Sequence, residues 1–291
     1  MRVAHSTAEI RRQLKPHRGH KTIAFVPTMG CLHEGHLSLI RKARNLADIV
    51  VVSIYVNPLQ FGVNEDLDKY PRTFESDAKL CAGEGVDFIF HPSTLYPKSG
   101  PKITLKATKL SDSLCGASRP GHFDGVVTVV NILFNIIQPN MALFGEKDWQ
   151  QLAIIRRMVN DLQMPIEIIA SETQREPDGL AISSRNRYLS EQDRQKAVLL
   201  SQALLTMQKM VADGEAEAEV LKAKACKQLT EARITLEYLE VRSANSLKTK
   251  RKLNSNQHIR TFIAAMVGKT RLIDNMPLSI DAASENTRGK S

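Results

Sequence analysis

From residue 21 onward, two patterns of hydrophobic positions alternate along the chain. Short runs rich in β-branched residues have the length of strands, and the longer stretches between them repeat their apolar positions every three or four residues, as helices do. Alternation of this kind predicts a parallel sheet covered by helices. The predicted strands are TIAFV, DIVVVSIYV, VDFIF, MALF and IEIIA, and the predicted helices cover 36–47, 73–84, 123–137 and about a dozen residues between the last two strands.

The alternation of strand-like and helical patterns ends after IEIIA. Two helical patterns, 191–211 and 216–232, are followed by the strand-like runs LEYLEV, IRTFIAAMV and RLID. This order predicts a second, smaller α+β domain. We therefore predict an α/β fold with one domain over residues 1–172, a smaller C-terminal domain over 173–280 joined near QREPDG, and a flexible tail at 281–291.

The chain is basic, because 40 Lys and Arg residues against 31 Asp and Glu residues give a net charge of +9. An excess of this sign favours anionic partners, either nucleotides or nucleic acids. Two basic clusters exist, and neither is interleaved with the aromatic residues that stack on nucleic-acid bases. We interpret both clusters as solvated faces; they are Arg2, Arg11, Arg12, Lys15, Arg18 and Lys21, and Lys248, Lys250, Arg251 and Lys252.

Cysteine usage and hydropathy predict a cytoplasmic protein. The four cysteines lie far apart and form no CxxC pair, which favours a reducing compartment over a zinc ribbon or a disulfide scaffold. The N-terminus has no apolar core of signal-peptide length. The most apolar stretch, 126–137, is interrupted by Thr128, Asn131 and Asn135, so no membrane span is predicted.

The segment PTMGCLHEGHLSLI follows the first predicted strand, TIAFV, and leads into a helix, where open α/β sheets bind ligands. Three interpretations fit its two histidines, His33 and His36: a zinc site, a helix start, or an anion site. Zinc sites of the HExxH type need histidines four residues apart, which HEGH does not offer. Anion binding is favoured by Gly30 and Gly35, by the free N–H groups of a helix N-terminus and by two imidazole donors.

Two further strings carry charges that suit phosphate chemistry. FGEKDWQQL places Lys147 and Asp148 between a strand and a helix, and the carboxylate could bind a hard cation such as Mg²⁺. LAISSRN adds two hydroxyls and the cationic fork of Arg185. Each string alone fits an ordinary surface, whereas together with HxGH they predict a cationic, Mg²⁺-ready site for phosphoryl or adenylyl transfer.

At this point the chain resembles the pantothenate synthetases (pantoate–beta-alanine ligases). HxGH and SSR belong more widely to nucleotidyltransferases, whereas NPLQF, ASRPGHFDG and GEKDWQQ are specific to this family. The matching strings run in order from residue 21 to 275: PTMGCLHEGH, VNPLQFGVNEDLDKYPRT, GASRPGHFDGV, LFGEKDWQQL, DGLAISSRN and RLIDN.

The resemblance implies a Rossmann-like nucleotide-binding domain, with the smaller C-terminal domain as a lid, in a cytoplasmic homodimer. It also implies a two-step ligation that uses Mg²⁺. The carboxylate of (R)-pantoate attacks the α-phosphate of ATP and pyrophosphate leaves; the amine of β-alanine then displaces AMP to form the amide. Adenylation is needed because a free carboxylate is a poor electrophile at neutral pH.

The resemblance also implies roles for individual residues. His36 is the expected catalytic proton donor, His33 contacts the phosphates, Lys147 and Arg185 neutralise phosphate charge, and Asp148 holds Mg²⁺. The ATP-binding set is Met29, Gly30, Cys31, Leu32, His33, Glu34, Gly35, His36, Gly145, Glu146, Lys147, Asp148, Gln174, Ile182, Ser183, Ser184 and Arg185. The substrate-binding set is Gln60, Gln151, Asn57, Tyr70, Val129 and Val130.

Alternatives remain open for the residues and for the chain. Val129 and Val130 fit an apolar helix core as well as a pantoate pocket. Tyr55 stands where the family has Phe, and Cys31 where it has Ala or Asn, so the fine shape of the pocket can differ. A nucleotidyltransferase that keeps the nucleotide as product would need HxGH and SSR but not NPLQF. A nucleic-acid-binding protein is suggested by charge alone.

Overall fold

A computed structural model describes residues 1–63, 65–254 and 257–279. The chain divides into two compact units. The first unit comprises Met1–Asp112, Gly116–Glu146 and Ile154–Gln174, and the second comprises Ser113–Cys115, Lys147–Ala153 and the chain from Arg175 onward. The single domain boundary after residue 172 stays a prediction, and the tail predicted at 281–291 lies outside the described residues.

The first unit contains a six-stranded sheet in which every strand pair is parallel. Its strand order is β1-β4-β3-β2-β5-β6. The parallel sheet was predicted from the alternating pattern and is confirmed, but β1 was missed because three residues are too few to show a periodicity. The strands are β1 Arg2–Ala4, β2 Ile23–Thr28, β3 Ile49–Ile54, β4 Phe88–Phe90, β5 Met141–Gly145 and β6 Glu167–Ser171.

Six α-helices connect or flank these strands: α1 Thr7–Leu14, α2 Glu34–Leu46, α3 Phe74–Gly83, α4 Cys115–Ser118, α5 His122–Ile137 and α6 Trp149–Asp161. The predicted helices are confirmed to within two or three residues at their ends. Helix α1 was not predicted; Ser6 caps it, and it buries Ile10 and Leu14 while Arg11 and Arg12 remain exposed. The solvated interpretation of that basic segment is thus confirmed for these two arginines.

Helix α5 is the most apolar helix of the first unit, and it packs on the sheet. The ring of Phe134 lies 6.3 Å from that of Phe25 and 6.5 Å from that of Phe144, both in edge-to-face geometry. Thr128 is buried as well, with its hydroxyl on the backbone N–H of Leu105 at 3.0 Å. Among the helices that the structure describes, none combines the length and the hydropathy needed to cross a membrane.

The second unit is built from two long helices and an antiparallel sheet, which agrees with the predicted order of two helices followed by three strand-like runs. The sheet order is β7-β8-β9. Leu200, Leu204 and Met207 of the first helix are buried in one cluster with Ile263 of the middle strand. The elements are α7 Glu191–Ala212, α8 Ala218–Glu231, β7 Thr235–Ser243, β8 Ile259–Val267 and β9 Thr270–Leu278.

Candidate active site

The segment Met29–His36, called here the HxGH segment, joins the carboxyl end of β2 to α2. Its backbone turns sharply, since φ is 83° at Gly30 and 52° at Cys31. A β-carbon on Gly30 would lie 3.0 Å from Oδ2 of Asp77 and 3.1 Å from Cγ2 of Ile54. Glycine is therefore needed at position 30 for its backbone conformation and for its space.

Asp77 on α3 fixes the shape of this segment. Its side chain is 1% exposed and accepts hydrogen bonds from the backbone N–H groups of Cys31 at 2.9 Å and Leu32 at 2.8 Å. The hydroxyl of Thr73 donates a third bond at 3.1 Å. Sequence reasoning missed Asp77, although a carboxylate at a buried helical position is a usable signal.

The two histidines contact each other at the start of α2. His33 is the N-cap, and its backbone N–H donates to Nδ1 of His36 at 3.3 Å. Because Nδ1 of neutral His36 accepts this bond, its proton is assigned to Nε2, which places an N–H donor on the far side of the ring. The ring centroids lie 4.0 Å apart, and a β-carbon on Gly35 would lie 3.0 Å from Cε1 of His33.

The helix-start interpretation is therefore confirmed for the backbone, and it is compatible with anion binding. The capping bond is made by Nδ1 of His36. Across residues 1–63, 65–254 and 257–279, no group of three or more His, Cys, Asp or Glu side chains is arranged to hold a metal ion.

A second candidate segment, the Gln60 turn (Asn57–Gln60), follows β3. Asn57 caps its short 3-10 helix and is 1% exposed. The Asn57 amide nitrogen donates to Oε1 of Gln60 at 3.0 Å and to the carbonyl of Gly125 at 3.1 Å. Its amide oxygen accepts from the hydroxyl of Tyr96 at 2.7 Å and from the backbone N–H of Leu59 at 3.3 Å.

The Gln60 turn packs closely on α5. A β-carbon at Gly125 would lie 2.2 Å from the carbonyl oxygen of Leu59, so only glycine permits this approach. The carbonyl of Gln60 accepts from Nδ1 of His122 at 2.8 Å and from Arg119 at 3.3 Å. The family-specific string ASRPGHFDG thus supplies the groups that hold Gln60, which sequence reasoning did not foresee.

Arg119 is in turn paired with Glu65. Burial alone would raise the pKa of the Glu65 carboxyl, but the hydrogen bonds and positive charge of Arg119 outweigh burial and lower this pKa. Arg119 also donates to Nε2 of His122 at 3.0 Å, which places the neutral imidazole's proton on Nδ1, facing Gln60. The three side chains form one clamp on the Gln60 backbone.

Other predicted substrate residues of the first unit are buried. Tyr70 is 6% exposed and packs edge-to-face on Phe61 with ring centroids 5.9 Å apart. Val129 and Val130 are equally buried on α5, which confirms their core role and leaves pantoate contact a prediction. Tyr55 is buried and accepts from the backbone N–H of Leu95 at 3.4 Å.

The last first-unit candidates lie at the ends of β5 and β6. Gly145 ends β5 in register with Ser171, and a β-carbon there would meet nothing within 4 Å. Glu146 follows in a 3-10 turn. Gln174 is half-buried, with its amide nitrogen 3.4 Å from the carbonyl of Glu172.

In the second unit, Lys147 and Asp148 lie just before α6. Nζ of Lys147 is 3.6 Å from Oδ1 of Asp148, whose side chain is 49% exposed. The carbonyl of Lys147 accepts from the amide of buried Asn275 at 2.9 Å, and Asn275 in turn accepts from Nε of Arg260 at 2.8 Å. The guanidinium of Arg260 lies 3.7 Å above the ring of Trp149. The string RLIDN thus fixes the backbone at Lys147.

The remaining second-unit candidates are Gln151 and the residues Ile182–Arg185. Gln151 is half-buried on α6. Ser183 caps a 3-10 helix, since its hydroxyl accepts from the backbone N–H of Arg185 at 3.3 Å. Ile182, Ser184 and Arg185 are half-buried as well.

Comparison with known sequences gives one consistent result. A family model described as pantoate-beta-alanine ligase matches residues 2–277. A pantothenate synthetase of Psychrobacter arcticus is 46% identical over 282 residues, covering 96% of this chain and 98% of the relative. That of Thermotoga petrophila is 51% identical over 258 residues, covering 88% and 91%.

Solved structures agree with the sequence matches. A pantothenate synthetase of Thermus thermophilus superposes with a TM-score of 0.90 at 40% identity, covering 96% of this chain and all of that chain. A pantoate-beta-alanine ligase of Francisella tularensis, solved with "Beta-gamma ATP and Beta-alanine", gives a TM-score of 0.79 at 35% identity, covering 95% and 97%.

Proposed function

Because the chain belongs to the pantoate–beta-alanine ligase family, we propose that it joins (R)-pantoate to β-alanine in an ATP-dependent reaction that yields pantothenate. Pantoate is first adenylated with loss of pyrophosphate, and β-alanine then displaces AMP. The first step makes the carboxyl carbon electrophilic, and the second forms the amide. The product belongs to pantothenate and coenzyme A biosynthesis.

The observation that supports this proposal best is the pair of imidazoles at the start of α2. The bond from the backbone of His33 to Nδ1 of His36 places the ring proton on Nε2, so that His36 can act as a donor there. The helix N-terminus adds positive potential, and the neighbouring imidazole of His33 can add a further N–H donor. Charge develops on phosphate oxygens as pentavalent phosphorus forms, and donors fixed in advance stabilise it. We assign neutral His36 as a hydrogen-bond donor to the phosphates and its doubly protonated form as the proton donor, with His33 as its partner on the phosphates.

The remaining ATP contacts follow the family strings. Backbone groups of Met29–His36 lie along the nucleotide, Lys147 and Arg185 neutralise phosphate charge, and Gly145–Asp148 and Ile182–Arg185 border the nucleotide with the backbone of Gln174. The half-buried state of Arg185 supports its role, because a partly desolvated guanidinium binds phosphate more strongly than an exposed one.

Gln60 and Gln151 are proposed to hold pantoate, with Gln60 also near β-alanine. A neutral amide donates and accepts hydrogen bonds without adding charge. Tyr70, Val129 and Val130 are proposed as apolar contacts of pantoate. For Asn57 we now propose an indirect role, since all four hydrogen-bonding positions of its amide are used by protein groups.

Mg²⁺ fits the donor set around Asp148. The half-exposed carboxylate can provide one oxygen ligand, and magnesium in nucleotide sites typically takes one or two carboxylates together with substrate phosphates. When bound, the ion neutralises phosphate charge. Lys147, 3.6 Å from the same carboxylate, provides a second positive charge from the chain itself.

We also propose that the protein is a cytoplasmic homodimer. In the part of the chain that the structure describes, Cys31, Cys81, Cys115 and Cys226 form no disulfide, which supports a reducing compartment. The dimer rests on family resemblance, and sedimentation equilibrium over a range of concentrations tests it. A single species at the mass of one chain would contradict it.

Pyrophosphate exchange tests the order of the reaction. Protein with ATP, Mg²⁺ and pantoate, but no β-alanine, should exchange labelled pyrophosphate into ATP. Addition of β-alanine should then release pantothenate and AMP in equal amounts. Exchange that strictly requires β-alanine would contradict the two-step order, and a product that retains the nucleotide would indicate a nucleotidyltransferase instead.

A further inference from the structure

A chain of hydrogen bonds runs through the first unit from the hydroxyl of Tyr96 to the side chain of Gln60. Tyr96 lies 2.7 Å from Oδ1 of Asn57, and Nδ2 of Asn57 lies 3.0 Å from Oε1 of Gln60. Nε2 of Gln60 then lies 3.1 Å from Sδ of Met29. Tyr96 itself belongs to none of the strings that suggested catalytic or binding residues.

The direction of these hydrogen bonds is determined by backbone groups that can act only as a donor or only as an acceptor. The backbone N–H of Leu59 can only donate, so the amide edge 3.3 Å from it must be the oxygen of Asn57. The carbonyl of Gly125 can only accept, so the edge 3.1 Å from it must be the nitrogen. With the Asn57 amide fixed, the Tyr96 hydroxyl must donate to its oxygen.

The amide of Gln60 is oriented in the same way. Nδ2 of Asn57 is a donor, so Oε1 of Gln60 must face it, and Nε2 of Gln60 must face the other way, toward Met29. Gln60 therefore presents N–H groups rather than an oxygen. Such an edge attracts the carboxylate and hydroxyl oxygens of a hydroxy acid, whereas the reversed amide would place lone pairs against them.

We propose that Tyr96 is a positioning residue for the acid substrate: together with the backbone at Leu59 and Gly125 it holds the Asn57 amide, and through Asn57 it holds Gln60 in the orientation that donates to pantoate. This inference rests on the proposed function, in particular on Gln60 as a pantoate contact. Asn57, at 1% exposure, transmits the orientation and does not itself touch the substrate.

The Tyr96 hydroxyl is suited to this task because it remains protonated. Burial raises the pKa of Tyr96, and the neighbouring Tyr55 raises it further. Its ring packs edge-to-face on Tyr55 with centroids 6.3 Å apart, which keeps the hydroxyl in place. The donor is thus present throughout the pH range of a ligase assay.

Tyr96→Phe removes the hydroxyl and keeps the ring. We expect the KM for pantoate to rise about three- to tenfold, the effect of one lost hydrogen bond, while the KM for ATP and kcat change less than about twofold. Thermal unfolding should shift by no more than about 4 °C, which separates misorientation from damage to the fold. Tyr188→Phe, which removes a hydroxyl from an exposed ring of the second unit, is the matched control and should leave all three parameters unchanged.

A double-mutant cycle then tests whether Tyr96 acts through Gln60. Gln60→Ala alone should raise the KM for pantoate, and adding Tyr96→Phe to Gln60→Ala should have no further effect, because no amide remains to be oriented. In the background of Gln151→Ala, the pantoate contact proposed in the second unit, Tyr96→Phe should retain its full effect.

The outcomes separate this inference from the function on which it rests. If Gln60→Ala weakens pantoate use but Tyr96→Phe does not, Tyr96 has no positioning role and the proposed function stands. If Tyr96→Phe has the same effect with and without Gln60, it acts by another route and the inference is wrong. If Gln60→Ala leaves pantoate use intact, the Gln60 assignment itself is wrong, and the role of Tyr96 is lost with it.

Discussion

The HxGH segment and the Gln60 turn both follow strands of the first unit, but they are held in place differently. One buried carboxylate, Asp77, fixes the HxGH backbone through two N–H groups. The Gln60 turn is fixed from several sides, by Asn57, the α5 backbone at Gly125, and the clamp of Arg119 and His122. In the proposed function, the HxGH segment offers backbone and imidazole donors to phosphates and so needs its main chain fixed. The Gln60 turn is proposed to select an acid and so needs the polarity of one side chain fixed.

This difference predicts two kinetic signatures. Changes at the HxGH segment should act mainly on kcat, because charge on the phosphates grows in the transition state. Changes at the Gln60 turn should act mainly on the KM for pantoate, since that contact is already made in the bound substrate. Four substitutions test this difference.

His36→Ala should have the largest effect. Loss of a donor to the developing phosphate charge should reduce kcat for pyrophosphate exchange by about 10²–10³-fold, with little change in the KM for pantoate. Pantothenate formation from separately prepared pantoyl adenylate should suffer less. His20→Ala, which changes an exposed histidine, is the control and should leave kcat and the KM for pantoate unchanged. A His36→Ala enzyme with normal kcat and a raised KM for pantoate would contradict the comparison.

Asp77→Asn should come next. The amide replaces one acceptor oxygen with a donor that faces a backbone N–H, so the segment should shift and kcat should fall about 10- to 100-fold. Asp87→Asn is the matched control, because Asp87 also accepts from a backbone N–H, that of Val50 at 2.8 Å, at the amino end of its strand. If Asp77→Asn and Asp87→Asn lower kcat equally for an equal decrease in melting temperature, Asp77 contributes only to the stability of the fold.

Gly125→Ala should act on the other segment. The new methyl group overlaps the carbonyl of Leu59, so the Gln60 turn must move, and the KM for pantoate should rise about tenfold while the KM for ATP stays constant. Gly83→Ala, in α3 with nothing within 4 Å of the new carbon, should be neutral or slightly stabilising. Steady-state kinetics with each substrate varied in turn distinguish the two results.

The smallest expected effect is a pH dependence of stability. Glu65 has a lowered pKa in the folded protein, so its pairing with Arg119 contributes fully above the ordinary carboxyl value of 4.5 and is lost as the pH falls through the lower folded value. We expect less than about 1 kcal/mol from this pair. Glu65→Gln should therefore flatten the acid limb of melting temperature against pH. An unchanged acid limb would mean that the pair contributes nothing measurable.

The sequence was informative where structure depends on neighbours along the chain. Periodicity located the long helices and the parallel sheet, and short strings located the histidines, Lys147 and Arg185. It failed for the three-residue strand β1, which only its pairing with β4 defines. It also missed the groups that support the site, because their partners are distant in sequence: Asp77 lies 46 positions from Cys31, and Arg119 lies 54 from Glu65. No local pattern encodes such pairs.

Met29 makes the Gln60 turn sensitive to oxidants. Its sulfur accepts a bond from Nε2 of Gln60 at 3.1 Å, and a thioether is a weak acceptor that a substrate oxygen can readily replace. Conversion to the sulfoxide would add a strongly polar oxygen beside the same amide, where it would compete with pantoate for the donor. Protein oxidised by peroxide would then have a raised KM for pantoate, and reduction by methionine sulfoxide reductase would lower this KM again.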